Sequence, residues 1–150
     1  MSVVFDVSVA DGPAMHSFGV DLAGRLEAGD LVVLSGGLGA GKTTLTQGIG
    51  AGLGVRGPIT SPTFVIARVH PSTIGGPALV HVDAYRLGDG FEVDDLDLDA
   101  SLSESVTVVE WGQGKVEALS ADRLEVRIAV ARSGDLRRVH VAGVGPRWAR

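Results

Sequence analysis

Residues 36–44 read GGLGAGKTT, and this stretch decides the fold that the rest of the chain must support. Gly36, Gly41, Lys42 and Thr43 match the phosphate-binding loop pattern G-x-x-x-x-G-K-[ST] without a gap. Glycines let consecutive backbone N–H groups turn towards a phosphate, and the helix that follows points its positive N-terminal end at the same place. The pattern predicts a nucleoside triphosphate site in which Lys42 contacts the β- and γ-phosphates and the Thr43 hydroxyl binds Mg²⁺.

The flanks of this loop have the pattern that a phosphate-binding loop requires. An apolar run at residues 31–34 precedes it and predicts a buried strand, whereas Leu45, Ile49 and Leu53 follow at helical spacing. Gly54 stands where a helix C-cap belongs. These flanks argue against a Gly-rich turn that matches by chance. The residues expected to contact the nucleotide here are Gly37, Leu38, Gly39, Ala40, Gly41, Lys42, Thr43 and Thr44.

Length and charge limit the architecture and the partners. A chain of 150 residues suits one domain, residues 1–150, with a single buried core. The formal charge of −5 is uneven, since residues 1–114 carry five basic and fourteen acidic side chains and residues 115–150 carry eight and four. An acidic chain argues against tight, nonspecific binding of nucleic acid by this protein alone.

Cysteine usage and hydropathy point to the cytoplasm. The chain has no cysteine, which excludes disulfides and thiolate metal sites, so zinc is not expected. No apolar run approaches the roughly 18 residues needed to span a bilayer, and no basic start precedes the first apolar residues. We therefore expect a cytoplasmic protein without membrane contact.

The remaining pattern alternates between strands and helices. We expect a first strand at residues 2–9, then a helix that begins with Asp11 as N-cap and Pro13 in its first turn and runs to about residue 28. Further strands are predicted at residues 63–69, 79–82, 106–109, 123–131 and 136–141. A Ser-Gly-Asp turn at residues 133–135 predicts a C-terminal β-hairpin. Together these elements predict a three-layer α/β domain, like that of phosphate-loop nucleoside triphosphate hydrolases, with a mixed sheet.

Two carboxylates follow short apolar strands. Asp83 ends the strand predicted at 79–82, and Glu110 ends the one predicted at 106–109. Ligands gather at the carboxyl ends of parallel strands, so one or both side chains can hold Mg²⁺ directly or through water. A carboxylate at a strand end is otherwise often only a turn former. His81 precedes Asp83 by two and shares its face on a strand, in either a structural or a catalytic role.

Two charged segments keep alternative interpretations. Six acidic residues lie between positions 89 and 99, where they serve either solubility or the docking of a basic partner. Five arginines between positions 123 and 138 serve either contact with the phosphates of a nucleic acid or the solubility of the strands.

Four motifs together resemble a known family. They are residues 36–44, residues 61–64 (SPTF), residues 81–86 (HVDAYR) and residues 109–111 (VEW). In this order they resemble the signatures of the bacterial TsaE (YjeE) ATPases, the small ATPase components of the tRNA threonylcarbamoyladenosine pathway. The resemblance covers residues from about 11 to 141.

The resemblance implies a set of partners and roles. It implies that the protein binds ATP with Mg²⁺ and works with the TsaB and TsaD proteins, so that tRNA is met indirectly through the complex. ATP hydrolysis would reset that assembly between rounds of modification. By the same resemblance Lys42 and Thr43 keep their phosphate and Mg²⁺ roles, Glu110 is the acidic metal-site residue, Asp83 is the Asp of the H-x-D-x-Y-R motif, and Thr63 senses the γ-phosphate.

One departure and two weaker assignments complete the site. The family usually has an acidic residue after the first glycine of the loop, as in GDLGAGKT, whereas this chain has Gly37, so no general base is assigned. Asp11 and Arg138 are candidates for adenine or ribose contacts, because the resemblance places the outer nucleotide pocket there. The chain contains no asparagine, which excludes the Asn-Lys-x-Asp guanine motif. A small-molecule kinase and a nucleotide-gated interaction module with negligible hydrolysis remain the alternatives.

Overall fold

Seven β-strands form one mixed sheet in the part of the chain that the structure describes. The structure is a computed structural model, and it describes residues 2–36, 41–55, 67–83, 104–110, 122–130 and 136–148. In chain order the elements are β1 (Ser2–Val9), α1 (Gly12–Ala23), β2 (Leu31–Ser35), α2 (Lys42–Leu53), β3 (Ala67–His70), β4 (Ala78–Asp83), β5 (Ser105–Glu110), β6 (Arg123–Val130), β7 (Arg137–Val144) and a 3₁₀ helix (Pro146–Trp148).

The strand order is β1-β7-β6-β2-β5-β4-β3. The four strands at the centre, β6, β2, β5 and β4, are parallel to their neighbours in this group. Antiparallel strands flank this group. On one side β7 pairs with β6 and β1 pairs with β7, and on the other side β3 pairs with β4. The predicted mixed sheet and the antiparallel pairing of the last two strands are confirmed, while the turn at residues 133–135 lies outside the described residues.

Burial distinguishes the central strands from the outer ones. Every residue of β5 and the first four of β2 are buried, as is typical of central parallel strands that are covered on both faces, although Ser105, Thr107 and Glu110 of β5 are polar. Strand β6 instead alternates, with Leu124, Val126 and Ile128 buried and the residues between them more exposed. The predicted phosphate loop therefore follows one of the two most buried of these strands, β2.

The two helices pack side by side against one face of the sheet. His16 lies opposite Gly48 and Ala23 lies opposite Gly52, so the helices run in the same direction. A Cβ added at Gly48 would lie 2.2 Å from the backbone oxygen of His16 and 3.0 Å from the Cα of Gly19, so this approach requires glycine. The shared core contains Met15, Leu22, Val32, Leu34, Leu45, Ile49, Val108 and Val126.

Both helices are short. Each contains 12 residues, and no helix among the described residues is long and apolar enough to cross a membrane. Leu45, Ile49 and Leu53 form the buried side of α2, and Gly54 ends it with a left-handed φ of 73°, as predicted.

Several expected boundaries differ from the observed ones, and the last strand, predicted to end at residue 141, continues to Val144. The helix predicted to reach residue 28 ends at Ala23, because the chain folds into a turn in which Asp30 accepts a hydrogen bond from the backbone N–H of Glu27 at 2.8 Å. Leu26 is still buried, but it lies in this turn and not in the helix. The strand predicted at residues 63–69 is described from Ala67 and extends to His70, while residues 63–66 lie outside the described part.

Candidate functional site

The loop between β2 and α2 joins the centre of the sheet to a helix N-terminus. Strand β2 ends at Ser35, and α2 begins at Lys42 after Gly41, whose φ of 110° is in the region that favours glycine. A Cβ at Gly41 would also lie 3.2 Å from the terminal methyl group of Met15. The loop therefore enters α2 through a conformation that an L side chain would strain. The predicted contacts of residues 37–40 lie outside the described residues.

The N-terminus of α2 carries no cap from a side chain in the described part of the chain, and its first turn contains no acidic residue. The first bond within the helix runs from the N–H of Leu45 to the oxygen of Gly41 at 2.9 Å. The N–H groups of Thr43 and Thr44 come before that bond, in the first turn, where backbone donors have no carbonyl acceptor within the helix. Donors and a helix dipole in this arrangement can bind an anion.

The side chain of Lys42 turns back across the loop. It is 8% exposed, and its Nζ donates a hydrogen bond to the backbone oxygen of Gly36 at 2.8 Å. The backbone oxygen of Lys42 in turn accepts a bond from the hydroxyl of Thr46 at 2.9 Å. The ammonium group therefore lies at the start of the loop, next to the open end of α2.

The two predicted carboxylates lie at the same edge of the sheet as this loop. Glu110 is the last residue of β5, and in the strand register it lies beside Leu34 of β2 and Asp83 of β4. Its side chain is almost completely buried, with the residue 4% exposed. Asp83 is placed by its register position alone. The expectation that both residues end neighbouring strands at the loop edge is confirmed, while their metal roles stay predictions.

His81 makes the contact with Glu110 that sequence reasoning missed. Its imidazole is fully buried, and Nε2 lies 3.3 Å from Oε2 of Glu110. The sequence placed His81 on the same face as Asp83, but the contact depends on which strand lies beside β4. No local pattern gives that order, and only the pairing of β4 with β5 brings the two side chains together.

Other predicted site residues have partners of their own. Asp11 caps α1, and its Oδ1 accepts the backbone N–H of Ala14 at 2.9 Å. Arg138 lies on β7 and reaches Asp6 on β1, with its Nε 3.2 Å from Oδ1 and its Nη2 3.4 Å from Oδ2. This hydrogen-bonded guanidinium lowers the pKa of the Asp6 carboxyl group. The adenine or ribose contacts of Asp11 and Arg138 stay predictions, and Thr63 lies outside the described residues.

The comparisons with known proteins agree on one family. Residues 9–139 match the family described as "Threonylcarbamoyl adenosine biosynthesis protein TsaE". A tRNA threonylcarbamoyladenosine biosynthesis protein TsaE of Streptomyces coelicolor is 66% identical over 139 residues, which are 90% of this chain and 94% of that relative. The Bacillus subtilis protein of the same description is 40% identical over 122 residues, covering 80% of this chain and 73% of the relative.

A solved structure supports the same grouping at the level of the fold. The crystal structure of Bacillus subtilis YdiB aligns with a TM-score of 0.76 at 30% identity, and the alignment covers 99% of this chain and 91% of that one. The match of the family over most of the chain and the relatives at 66% and 40% identity agree with the four motifs of the sequence. The chain therefore belongs to the TsaE family of tRNA threonylcarbamoyladenosine biosynthesis proteins.

Proposed function

We propose that this protein is a cytoplasmic, Mg²⁺-dependent ATPase of the phosphate-loop type that acts with TsaB and TsaD in the threonylcarbamoyl modification of tRNA. The observation that carries the proposal is the geometry around Lys42. This side chain folds back onto Gly36 at the mouth of an uncapped helix that starts after the left-handed Gly41. The match of residues 9–139 to a family described by threonylcarbamoyl adenosine biosynthesis supports the pathway.

Phosphate recognition is the best supported part of the proposal. The backbone donors of the first turn of α2 and the Lys42 ammonium group present positive charge at one point next to the loop. A triphosphate supplies the anion that both require. Because Lys42 is 8% exposed, its charge acts with little screening by water. Lys42 is therefore proposed to bind and orient the terminal phosphates.

The residues at the strand ends fit a magnesium ion. Glu110 offers a buried carboxylate beside the start of the loop, and Thr43 stands in the first turn of α2. Mg²⁺ commonly takes one or two carboxylates together with phosphate oxygens and water. Thr43, Glu110 and Asp83 would hold the ion, whose charge would offset that of the phosphates.

Hydrolysis is proposed to be slow and to depend on the partners. The loop has Gly37 where the family commonly has an acidic residue, so the chain lacks one carboxylate that could position water. Lys42 and Glu110, which are both shielded from solvent, would orient the phosphates and the magnesium ion respectively. The net charge of −5 supports a tRNA contact made through the complex and not by this chain alone.

The test is ATP binding and hydrolysis by the purified protein, alone and with TsaB and TsaD. We expect Lys42→Ala to weaken ATP binding about 10- to 100-fold, because a charge-assisted hydrogen bond contributes about 1.5–3 kcal/mol. Glu110→Ala should still bind ATP and lose hydrolysis that the partners stimulate. Arg25→Ala removes a cation that stacks on Phe5 after the end of α1, and it serves as a matched control with unchanged kinetics.

The outcomes separate the proposal from its alternatives. Stimulation by TsaB and TsaD that is lost in Glu110→Ala supports the ATPase of the tRNA pathway. Transfer of the γ-phosphate to a metabolite would replace it with a kinase. A Lys42→Ala protein that still supports tRNA modification in a reconstituted system would show that the ATP site is dispensable, and the proposed mechanism would be wrong.

A further inference from the structure

His81 places an imidazole at a buried position where an apolar side chain would destabilise the folded protein less. It lies in the middle of β4 with no exposed surface, between Val80 and Val82, which are also buried. Neither ring nitrogen makes an aligned hydrogen bond to any group in the described residues. A buried polar group without a hydrogen-bond partner destabilises the folded protein. A histidine at this position therefore needs a reason beyond packing.

The strand register places His81 close to Glu110. His81 pairs with Val108 of β5, and Glu110 follows two residues later on the same face of the sheet. Diagonal neighbours on adjacent strands lie within reach of long side chains. Here the distance between His81 Nε2 and Glu110 Oε2 is 3.3 Å. The imidazole therefore lies one residue pair below the edge of the sheet, directly behind the carboxylate.

Glu110 has no other partner in the described part of the chain that would fix its orientation. A carboxylate has two oxygens and about four acceptor positions, so one oxygen can face the protein while the other faces a ligand. His81 approaches Oε2, so its contact does not occupy Oε1. A side chain that is 4% exposed and held from one side can present a single oxygen reproducibly.

We propose that His81 is a positioning residue, whose Nε2–H donates to Oε2 of Glu110 and fixes this carboxylate for its role at the triphosphate site. This inference rests on the proposed function of Glu110. His81 does not touch the substrate and acts only through the carboxylate. The atoms require a small rotation of either side chain to move from a 3.3 Å contact into an aligned hydrogen bond.

The contact itself is tested on the protein without nucleotide, so the result does not depend on ATP hydrolysis. Side-chain ¹⁵N NMR resolves which imidazole nitrogens carry a proton, and the signal of His81 among the four histidines is assigned by its loss in His81→Gln. We expect a protonated Nε2 that changes its shift in Glu110→Gln. An unprotonated Nε2 facing the carboxylate, or a signal that ignores Glu110→Gln, would overturn the proposal.

The consequence is tested by kinetics on three variants, with TsaB and TsaD present. His81→Leu keeps the volume and removes the donor, so we expect kcat to fall about 10- to 100-fold with the KM for ATP changed less than about threefold. His81→Gln keeps an N–H donor and should recover a large part of the loss. His140→Gln is the matched control, since His140 also lies near a carboxylate, 3.9 Å from Asp6, but on β7.

Each kinetic outcome decides the question. Recovery in His81→Gln but not in His81→Leu supports positioning. Equal kcat values in both variants, whether unchanged or equally reduced, would show that the imidazole has no positioning role. If the wild-type protein hydrolyses no ATP with its partners, the proposed ATPase function fails, and the positioning role fails with it even where NMR shows the His81–Glu110 contact.

Discussion

Asp30 and Glu110 are two carboxylates of nearly equal burial, 6% and 4% exposed, at opposite ends of the parallel strands. At the amino end, Asp30 accepts the backbone N–H of Glu27 at 2.8 Å and two hydrogen bonds from the guanidinium of Arg147. At the carboxyl end, the contact of Glu110 in the described residues is the 3.3 Å approach of His81. Within the described residues, one end of the sheet satisfies its buried carboxylate internally, whereas the carboxylate at the other end has the His81 contact and is the one that we propose to serve a ligand.

The amino end also fastens the end of the chain to the sheet. Arg147 donates to the backbone oxygen of Arg25 at 2.9 Å, and its guanidinium carbon lies 4.1 Å from the ring centroid of Trp148. Trp148 is 8% exposed and packs so closely on Gly143 that a Cβ there would lie 2.3 Å from its own Cβ. These contacts stabilise the fold and are far from the candidate site along the strands.

The largest expected effect is at Trp148. We expect Trp148→Ala to lower the free energy of unfolding by about 3 kcal/mol, because a buried aromatic side chain is removed and a cavity remains. Thermal denaturation should show a melting temperature about 6–12 °C lower for a domain of this size. Hydrolysis of ATP per folded molecule should not change, since the site is at the other end of the sheet.

A conservative variant separates packing from polarity at this position. The Trp148 Nε1 is buried without a hydrogen-bond partner in the described residues, so Trp148→Phe removes no hydrogen bond. We expect it to cost less than about 1.5 kcal/mol. Equal losses of unfolding free energy in Trp148→Ala and Trp148→Phe would mean that the ring does not stabilise the protein through packing. That result would contradict the stabilising role of the amino end of the sheet.

The next effect compares the two carboxylates directly. Asp30→Asn should lower the free energy of unfolding by about 1–2 kcal/mol, because charge-assisted hydrogen bonds to Glu27 and Arg147 are weakened in a partly exposed network. Glu110→Gln should leave unfolding within about 0.5 kcal/mol of the wild type, since the amide oxygen of glutamine can still face His81 Nε2. Chemical denaturation of both variants measures the difference.

Activity should show the reverse order for the same pair. Asp30→Asn is expected to keep partner-stimulated hydrolysis at temperatures where it is folded, whereas Glu110→Gln is expected to lose it. A Glu110→Gln protein that is less stable than Asp30→Asn would contradict the division between a stabilising end and a binding end.

The smallest expected effect is on the exposed pair of Asp6 and Arg138, which is a reference for carboxylates in water. Arg138 holds the pKa of Asp6 below its ordinary value of 3.8, chiefly through a hydrogen bond. The stabilisation from this pair is therefore present above the ordinary value and is lost as the pH falls through the lowered pKa. We expect Arg138→Ala to raise the pKa of Asp6 in an NMR titration, while Arg137→Ala leaves it in place. An unchanged pKa in Arg138→Ala would show that the guanidinium does not act on Asp6 in solution.

The sequence predicts those parts of the molecule that local patterns determine. The loop pattern, the apolar run before it and the spaced apolar residues after it predicted β2 and α2 correctly. A strand buried on both faces has a continuous apolar run, and a helix buried on one side has apolar residues at helical spacing, so both can be seen in the local sequence. The acidic residues at the ends of β4 and β5 were predicted for the loop edge, because parallel strands bring their carboxyl ends together.

Contacts between distant residues were not predictable in this way. The apolar periodicity through Leu26 suggested a longer α1, but the turn that ends it is held by Asp30 and by Arg147, which lies 117 positions away. The contact of His81 with Glu110 depends on the order of strands in the sheet, for which the chain has no local signal. Sequence reasoning therefore placed the candidate residues at the loop edge and missed the contact between His81 and Glu110.

The outer pairing of the sheet places both ends of the described chain on one side. Ser2 lies beside Gly143 at the start of β1, and Trp148 follows shortly after at the amino end of β2 and β6. The edge with Gly36 and Glu110 is at the other side of the sheet. A fluorophore, an affinity tag or a surface tether attached at either terminus should therefore leave the loop edge open to large partners, and one linker joining the termini would have only a short gap to bridge.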